Sequence, residues 1–456
     1  MGTQFQFLSH AAIIAAVGLE AGACGPPSAR YRDELIRYDR VVSERATVDD
    51  GRDLFAGEEV LLIEPLVAAV IARNPSIESA REGWRAALAR YPQATSFDDP
   101  TLAYSVAPLS IVSSKVDFGQ VLEISQPLPY PGKRRLRGQV ALAEAEAAQQ
   151  DYQAVRLRVA LMAAHLYYEL YATERAVAIN AEFESELEQH RDTLTAHLAA
   201  GHAWQDDALK VDVDLGEVAQ ARIDLEADRD VLVAQVNELL HRSPELPLPP
   251  LPASLALPLT VEESSADLQA IALQMRPEMG SAGARRDRES ASIAVAEREF
   301  YPDFRVMGQY NSMWPELEHE IMVGLALTIP VWRGRRHAAV DEATARRKRA
   351  DVELEVVEDR IRTEVERAYR AHQAALSVLD TYRADIVPSA EARVEAIRVG
   401  LDTGRVSFIE VLRADHELLT VTLRYEHALA NAYRRRADLE IAIGRMGDAP
   451  ADGGAR

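Results

Sequence analysis

The sequence has 456 residues, a formal net charge of −21 at pH 7 and a sequence pI near 5.1. Phosphate binding needs a basic surface, so these values argue against a nucleic-acid partner and leave open either a soluble protein or an acidic passage for cations. A single cysteine excludes an intramolecular disulfide and any CxxC metal or redox site.

The N-terminal 23 residues have the pattern of a signal peptide. The apolar run at 11–19 is too short to span a bilayer but has the length of a signal-peptide core, and small residues precede Cys24. This arrangement resembles a bacterial lipoprotein signal. It predicts export, removal of residues 1–23 and lipidation of Cys24, and we expect residues 24–63 to form an extended segment.

The rest of the chain contains a duplicated half-unit. Pro75 recurs as Pro277 and Gly132 recurs as Gly334, in both cases 202 residues later (277 − 75 and 334 − 132). A period this long lies outside the range of solenoid repeats and predicts two equivalent halves. The predicted parts are a first repeat at 64–243, a proline-rich linker at 244–260, a second repeat at 261–446 and a disordered tail at 447–456.

Each half contains two segments in which apolar residues alternate with small or polar ones. They lie at 101–106 and 116–125 in the first half and at 304–310 and 321–329 in the second. Such alternation is typical of tilted membrane strands, although a soluble β-sandwich would show it too. No segment after the signal reaches the roughly 18 uninterrupted apolar residues of a transmembrane helix. Four strands cannot close a barrel, so membrane strands would require several copies, and three copies would supply twelve.

Long helices follow each pair of strands. Proline and glycine end the strands at 127–134 and 330–336, and we expect Gly132 and Gly334 to permit the turns. Helices with coiled-coil spacing are predicted at 135–197 and 335–399, and Pro388 should kink or divide the second of them.

A short turn and a returning helix follow each long helix. The turns lie at 201–207 and 404–410, and the returning helices at about 206–241 and 407–445. Glycine at the start of a turn suits the left-handed residue that closes a helix, and Ser407 suits the cap that opens the next one. The sequence therefore predicts antiparallel helical hairpins.

The order of these elements and the sequence of the second turn resemble one known family. The segment at 396–414, Ala-Ile-Arg-Val-Gly-Leu-Asp-Thr-Gly-Arg-Val-Ser-Phe-Ile-Glu-Val-Leu-Arg-Ala, is similar to the TolC family of outer-membrane efflux factors, and the resemblance extends over 64–444. The Gln-Pro-x-Pro-x-x-Gly-Lys-Arg motif at 126–134 is similar to members that serve heavy-metal resistance pumps.

The resemblance implies an α+β fold that is mainly α, with a duplicated half-unit, long antiparallel coiled-coil helices and four β-strands per chain that contribute to a trimeric twelve-stranded membrane β-barrel. It implies a passive outer-membrane channel that carries substrate from the periplasm to the exterior. The implied partners are two further copies of the chain, outer-membrane lipid, a periplasmic membrane-fusion adaptor and an inner-membrane efflux pump.

The resemblance also implies functional residues at the hairpin tips. Family members narrow their tunnel with an acid after the tip glycine, and Asp207 and Glu410 each lie six residues after such a glycine. Lys210 and Arg413 stand where a second acid often occurs. The plainer interpretation is two exposed i,i+3 ion pairs, Asp207 with Lys210 and Glu410 with Arg413. The adaptor would dock at the tip residues Gly201, His202, Gly404, Arg405, Val406 and Ser407.

The sequence contains no pattern for catalysis. Its eleven histidines are scattered, and neither His-Glu-x-x-His nor a phosphate-binding glycine loop occurs. We therefore predict no enzyme activity, no cofactor and no metal site, and we expect His165 and His372 to face helix grooves or a lumen. An alternative interpretation is a periplasmic structural or adaptor coiled-coil protein without a pore. No motif discloses the cargo or the class of pump.

Overall fold

The computed structural model describes residues 28–46, 55, 59–111, 118–199, 205–258, 260–313 and 321–445. The predicted signal peptide, Cys24 and the predicted tail lie outside the described residues. The chain divides into two compact units. We call them the strand unit, with the described residues of 1–43, 81–151 and 280–357, and the hairpin unit, with the described residues of 44–80, 152–279 and 358–456.

The two halves of the chain have the same order of elements. After α1 (Ala29–Ala46), the first half contains α2 (Ile63–Arg73), α3 (Pro75–Leu88), α4 (Arg90–Thr95), β1 (Thr101–Val106), β2 (Gln120–Leu128), α5 (Lys133–Ala199) and α6 (Gln205–Leu239). The second half contains α7 (Ser265–Met275), α8 (Pro277–Arg298), β3 (Asp303–Asn311), β4 (Ile321–Thr328), α9 (Arg333–Thr381), a π-helical turn (Tyr382–Ile386), α10 (Val387–Asp402) and α11 (Phe408–Ala442). This mainly helical, duplicated fold with four strands confirms the prediction.

The N-terminal segment differs from its prediction. Residues predicted to be extended contain α1, which has eighteen residues. Tyr31 stacks on Tyr91 with ring centroids 4.2 Å apart, and Tyr38 packs edge-on against Trp84 at 5.2 Å. The apolar pattern of α1 is short and interrupted by charges, so tertiary packing within the strand unit is what stabilises this helix.

The four strands form one antiparallel sheet in the order β1-β2-β3-β4. Leu102 pairs with Ile124, and Ile124 pairs with Gly308, so the apolar positions of neighbouring strands lie on the same face. Val323, opposite Gly308 on β4, is 82% exposed. Within the described residues, this apolar face is uncovered and the outer edges of β1 and β4 have no pairing strand.

The two breaks after the strands are built differently. Gly132 has a φ of +95°, so this turn requires glycine as predicted. Gly334 lies in the first turn of α9 and is absent from the described glycines with positive φ, so the prediction that it permits a turn is wrong. The helix begins one residue before Gly334 and takes up the position that we assigned to the turn.

Pro388 does not divide the second long helix into separate pieces. The helix continues from α9 to α10 through the π-helical turn, where the N–H of Val387 bonds to the carbonyl of Tyr382. Proline lacks the N–H that an α-helical bond to residue 384 would need, and a wider turn just before it accommodates the missing donor. The proline therefore changes the helix locally, as a π-bulge.

The proline-rich stretch is extended, as expected. Its described residues, 244–258 and 260, contain no helix or strand. The N–H of Leu61 donates to the carbonyl of Pro250 at 2.8 Å, and the Tyr433 hydroxyl donates to the carbonyl of Ala256 at 2.7 Å. These bonds attach the stretch to α11 and to the residues just before α2. Among the described residues, we find no helix with the length and apolar character needed to cross a membrane.

Candidate functional site at the hairpin tips

The turn between α10 and α11 is a helix-closing motif centred on Gly404. Gly404 has a φ of +69°, and its N–H donates to the carbonyl of Leu401 at 2.9 Å. The next N–H, of Arg405, donates to the carbonyl of Gly400 at 2.9 Å. These two bonds form a Schellman motif, which satisfies carbonyls that the end of a helix leaves free. The predicted role of Gly404 is confirmed.

The residues after Gly404 lead directly into α11. Val406 packs over Gly400 so closely that a Cβ on this glycine would lie 2.6 Å from the valine Cγ2. Ser407 is extended at the N-cap position, as predicted, but its hydroxyl makes no capping bond. Arg405 and Ser407 are exposed. The other tip, with Gly201 and His202, lies outside the described residues.

The charged residues at the tips follow the predictions only in part. The guanidinium of Arg413 lies 2.6 Å from the Glu410 carboxylate, which confirms the predicted i,i+3 pair. Lys210 bonds to Asp214 and not to Asp207, so the second predicted pair is wrong. Asp207 lies in the first turn of α6, where free N–H groups favour an acid without a basic partner.

An apolar cluster packs inside the hairpins behind the tips. It contains Phe183, Leu187 and Leu194 of α5, Val211 and Val218 of α6 and Leu412 of α11. Helices from both hairpins contribute, so burial of this cluster holds the first hairpin against the second. Burial of apolar surface stabilises a fold by about 25 cal/mol per Å². The cluster is therefore the main stabilising contact of the region.

A group of charged residues lies beside this cluster. The guanidinium of Arg398 on α10 bonds to Glu186 of α5 at 2.5 Å and to Asp415 of α11 at 3.2 Å. The second oxygen of Asp415 lies 3.2 Å from Nε2 of His190. Sequence reasoning missed this group because Asp415 is 225 residues away from His190. The one local signal was the i,i+4 spacing of Glu186 and His190.

A cavity of about 550 Å³ lies elsewhere in the hairpin unit. His165 lines it, as predicted for a groove, and its Nε2 lies 2.8 Å from Asp438. Burial alone would raise the pKa of the Asp438 carboxyl, but hydrogen bonds and charge from His165 and Arg435 outweigh it and lower that pKa. The cavity therefore holds a charge-paired network.

His372 fills a groove between α9 and α11, one of the two places predicted for it. Its side chain is buried, and a contact with the backbone of Ala432 offsets only part of the lost hydration. Burial and the nearby charge of Arg436 lower the pKa of this histidine. A neutral imidazole that packs between helices fits these surroundings.

Comparison with known proteins places the fold. The outer-membrane channel MtrE of Neisseria gonorrhoeae superposes with a TM-score of 0.69 at 18% identity, over 84% of this chain and 89% of that chain. The outer-membrane protein VceC of Vibrio cholerae superposes with a TM-score of 0.69 at 17% identity, over 84% and 97%. These matches define the fold as that of the outer-membrane channels.

Sequence comparison agrees with the fold. Residues 268–445 match the family model described as outer membrane efflux protein. The cobalt-zinc-cadmium resistance protein CzcC of Cupriavidus metallidurans is 22% identical over 334 residues, which are 71% of this chain and 76% of that protein. Residues 268–445 thus carry the pattern of the outer-membrane efflux protein family, and the chain is similar over most of its length to outer-membrane efflux channels. No enzyme family is indicated.

Proposed function

We propose that three copies of this chain form one passive conduit across the outer membrane. The uncovered apolar face of the four-stranded sheet carries this proposal. Unpaired strand edges are not stable in lipid, so the free edges of β1 and β4 must pair with strands of other copies. Three copies give a closed barrel of twelve strands, which is wide enough for a water-filled passage.

The hairpin tips are the proposed docking and gating region of this conduit. Around a threefold axis, Glu410 and Asp207 would each occur three times, and rings of acids attract cations and repel anions. Arg413 and Lys210 moderate the negative charge, since Arg413 bonds to Glu410 and Lys210 to Asp214. Gly201, His202, Gly404, Arg405, Val406 and Ser407 are the proposed contacts of a periplasmic adaptor, which links the conduit to an inner-membrane pump.

The proposed cargo is a divalent metal ion. The name of CzcC links that protein to cobalt, zinc and cadmium resistance. The Gln-Pro-x-Pro-x-x-Gly-Lys-Arg motif supports the same subgroup, and the acidic composition suits the passage of cations. Lipidation of Cys24 would add an anchor at the membrane surface.

Membrane fractionation tests the proposed conduit. Cells that express the full chain are separated into periplasmic, inner-membrane and outer-membrane fractions, and the outer-membrane protein is extracted with detergent. We expect the chain in the outer membrane, as a trimer that dissociates into monomers on heating. Recovery of a monomer in the soluble periplasm would favour the alternative, a structural or adaptor protein without a pore.

A further inference from the structure

We propose that Glu186, His190 and Asp415 form a binding site for one Zn²⁺ or Co²⁺ ion in each copy of the chain. A carboxylate oxygen of each acid and a ring nitrogen of His190 all lie within 4.8 Å of one another. Imidazole nitrogen and carboxylate oxygen are ligands that both ions accept, and zinc commonly has three protein ligands with water in the fourth position. None of the three ligands is a predicted gate or docking residue of the hairpin tips.

The helices hold the three ligands close to the required arrangement. Glu186 and His190 are one turn apart on α5, so their side chains project from the same face of that helix. Asp415 comes from α11, and its carboxylate oxygen is 3.2 Å from Nε2 of His190. Two ligands at this separation can share one ion with bonds of about 2.1 Å each.

The surroundings of two of the ligands, Asp415 and His190, are poorly hydrated and favour the binding of a cation. The Asp415 side chain is only 2% exposed, and that of His190 is 20% exposed. The His190 ring packs edge-on against Phe408 with centroids 5.5 Å apart, and Leu187 and Leu412 belong to the adjoining apolar cluster. A poorly hydrated carboxylate attracts a cation more strongly than an exposed one, and the packed ring is held in place for ligation.

When no ion is bound, the guanidinium of Arg398 contacts the ligand oxygens. Its guanidinium bonds to Glu186 and Asp415, two of the three ligands, and so supplies the positive charge that these acids need. The Arg398 side chain is 45% exposed and can therefore move into solvent at little cost. Arg398 and a divalent ion compete for the same oxygens, so the charge on Arg398 weakens ion binding.

Ion binding would change how the two hairpins are joined. Without the ion, Arg398 of α10 connects α5 to α11 through two exchangeable ion pairs. With the ion, α5 and α11 share a metal centre directly, and α10 loses both contacts. The concentration of a divalent ion would thus set which helices are linked behind the tips.

Metal titration of the full-length protein tests the site. The protein is extracted in detergent, stripped with a chelator and titrated with Zn²⁺ by calorimetry and with Co²⁺ by visible absorption. We expect one ion per chain. His190→Gln should weaken binding about tenfold or more, because it removes the nitrogen ligand. Arg398→Gln should tighten binding, because it removes the competing charge.

His165→Gln is a matched control. His165 also bonds to an aspartate that an arginine contacts, namely Asp438 with Arg435. No third ligand completes that pair among the described residues, so His165→Gln should bind Zn²⁺ like the parent protein. Should His190→Gln fail to fold, Glu186→Gln and Arg398→Gln still decide, since their effects have opposite signs. Equal affinity of the parent and His190→Gln, or weaker binding by Arg398→Gln, would show an ion-pair network and no metal site.

Discussion

The ammonium group of Lys133 lies 3.0 Å from the carboxylate of Asp303, and only 1% of the lysine side chain is exposed. The same group lies 3.0 Å from Glu299, and the N–H of Tyr130 donates to Asp303 at 2.8 Å. The buried cation fixes the start of α5 to the start of β3, and the Tyr130 N–H fixes the end of β2 to the same aspartate. The basic residue of the Pro-Gly-Lys-Arg break is a structural element of the strand unit.

Removal of this cation should destabilise the strand unit. Lys133→Met leaves Asp303 and Glu299 with only the longer contact of Arg137 as a counter-charge, and because both acids are partly exposed we expect a loss of about 1–3 kcal/mol. Arg137→Gln is the control, since Arg137 contacts Glu299 from an exposed position at 3.6 Å and should cost less than about 1 kcal/mol. Thermal unfolding of both variants gives the comparison. Equal losses would contradict the assigned role of Lys133.

The left-handed conformation of Gly404 predicts that alanine substitutions at two glycines differ in their effect on stability. Gly404→Ala forces a side chain into the left-handed region and should destabilise the turn by about 1 kcal/mol or more. Gly334→Ala is the matched control, because that glycine is helical and an added Cβ meets nothing within 4 Å. Alanine favours the helix, so this change should be neutral or stabilising. Rates of limited proteolysis at the tip, together with thermal unfolding, measure both effects.

The exposed sheet face predicts a difference between neighbouring residues. Val323 lies on the apolar face of β4, whereas Met322 lies on the opposite face. If the apolar face contacts lipid, Val323→Lys should cost about 2–4 kcal/mol at the bilayer midplane and lower the amount of assembled protein in the membrane. In the proposed barrel Met322→Lys would lie on the lumen side and should assemble normally. Quantitative immunoblots of outer-membrane fractions compare the two, and assembly of Val323→Lys at the parent level would argue against lipid contact.

The buried histidine predicts a dependence on pH. The pKa of His372 is lowered in the folded state, so the unfolded chain binds a proton more readily. Above pH 6.5, the ordinary pKa of histidine, the neutral ring therefore makes its full contribution to the free energy of unfolding. This contribution is lost as the pH falls from 6.5 towards the lower pKa that His372 has in the folded protein. His372→Leu should unfold at a temperature that changes less over this range. A parallel decline in both proteins would assign the pH dependence to other groups.

Local spacing was enough to predict much of this molecule. The alternation of 321–329 predicted β4, the glycine of the second turn predicted the positive φ of Gly404, and the i,i+3 spacing predicted the pair of Glu410 with Arg413. Each of these features depends on residues that are close in the chain. The two repeats also supported each other, because one pattern occurred twice.

Other features depended on distant partners and could not be predicted. Asp415 reaches His190 only because both hairpins pack on one apolar cluster. Helix α1 depends on the rings of Tyr91 and Trp84, which follow it by tens of residues. Lys210 has an acid within one helical turn on either side and pairs with Asp214, not with Asp207. The sequence alone did not show which of the two ion pairs would form.

Electrical conductance tests the central claim most directly. Detergent-purified protein is reconstituted into a planar lipid bilayer, and the current is recorded in salt solution without adaptor or pump. A trimeric conduit predicts discrete current steps that favour cations over anions, and a weaker preference for cations when Glu410→Gln and Asp207→Asn remove the rings of acids. A protein that inserts no pore under any of these conditions, and remains a monomer free of lipid, would contradict the account.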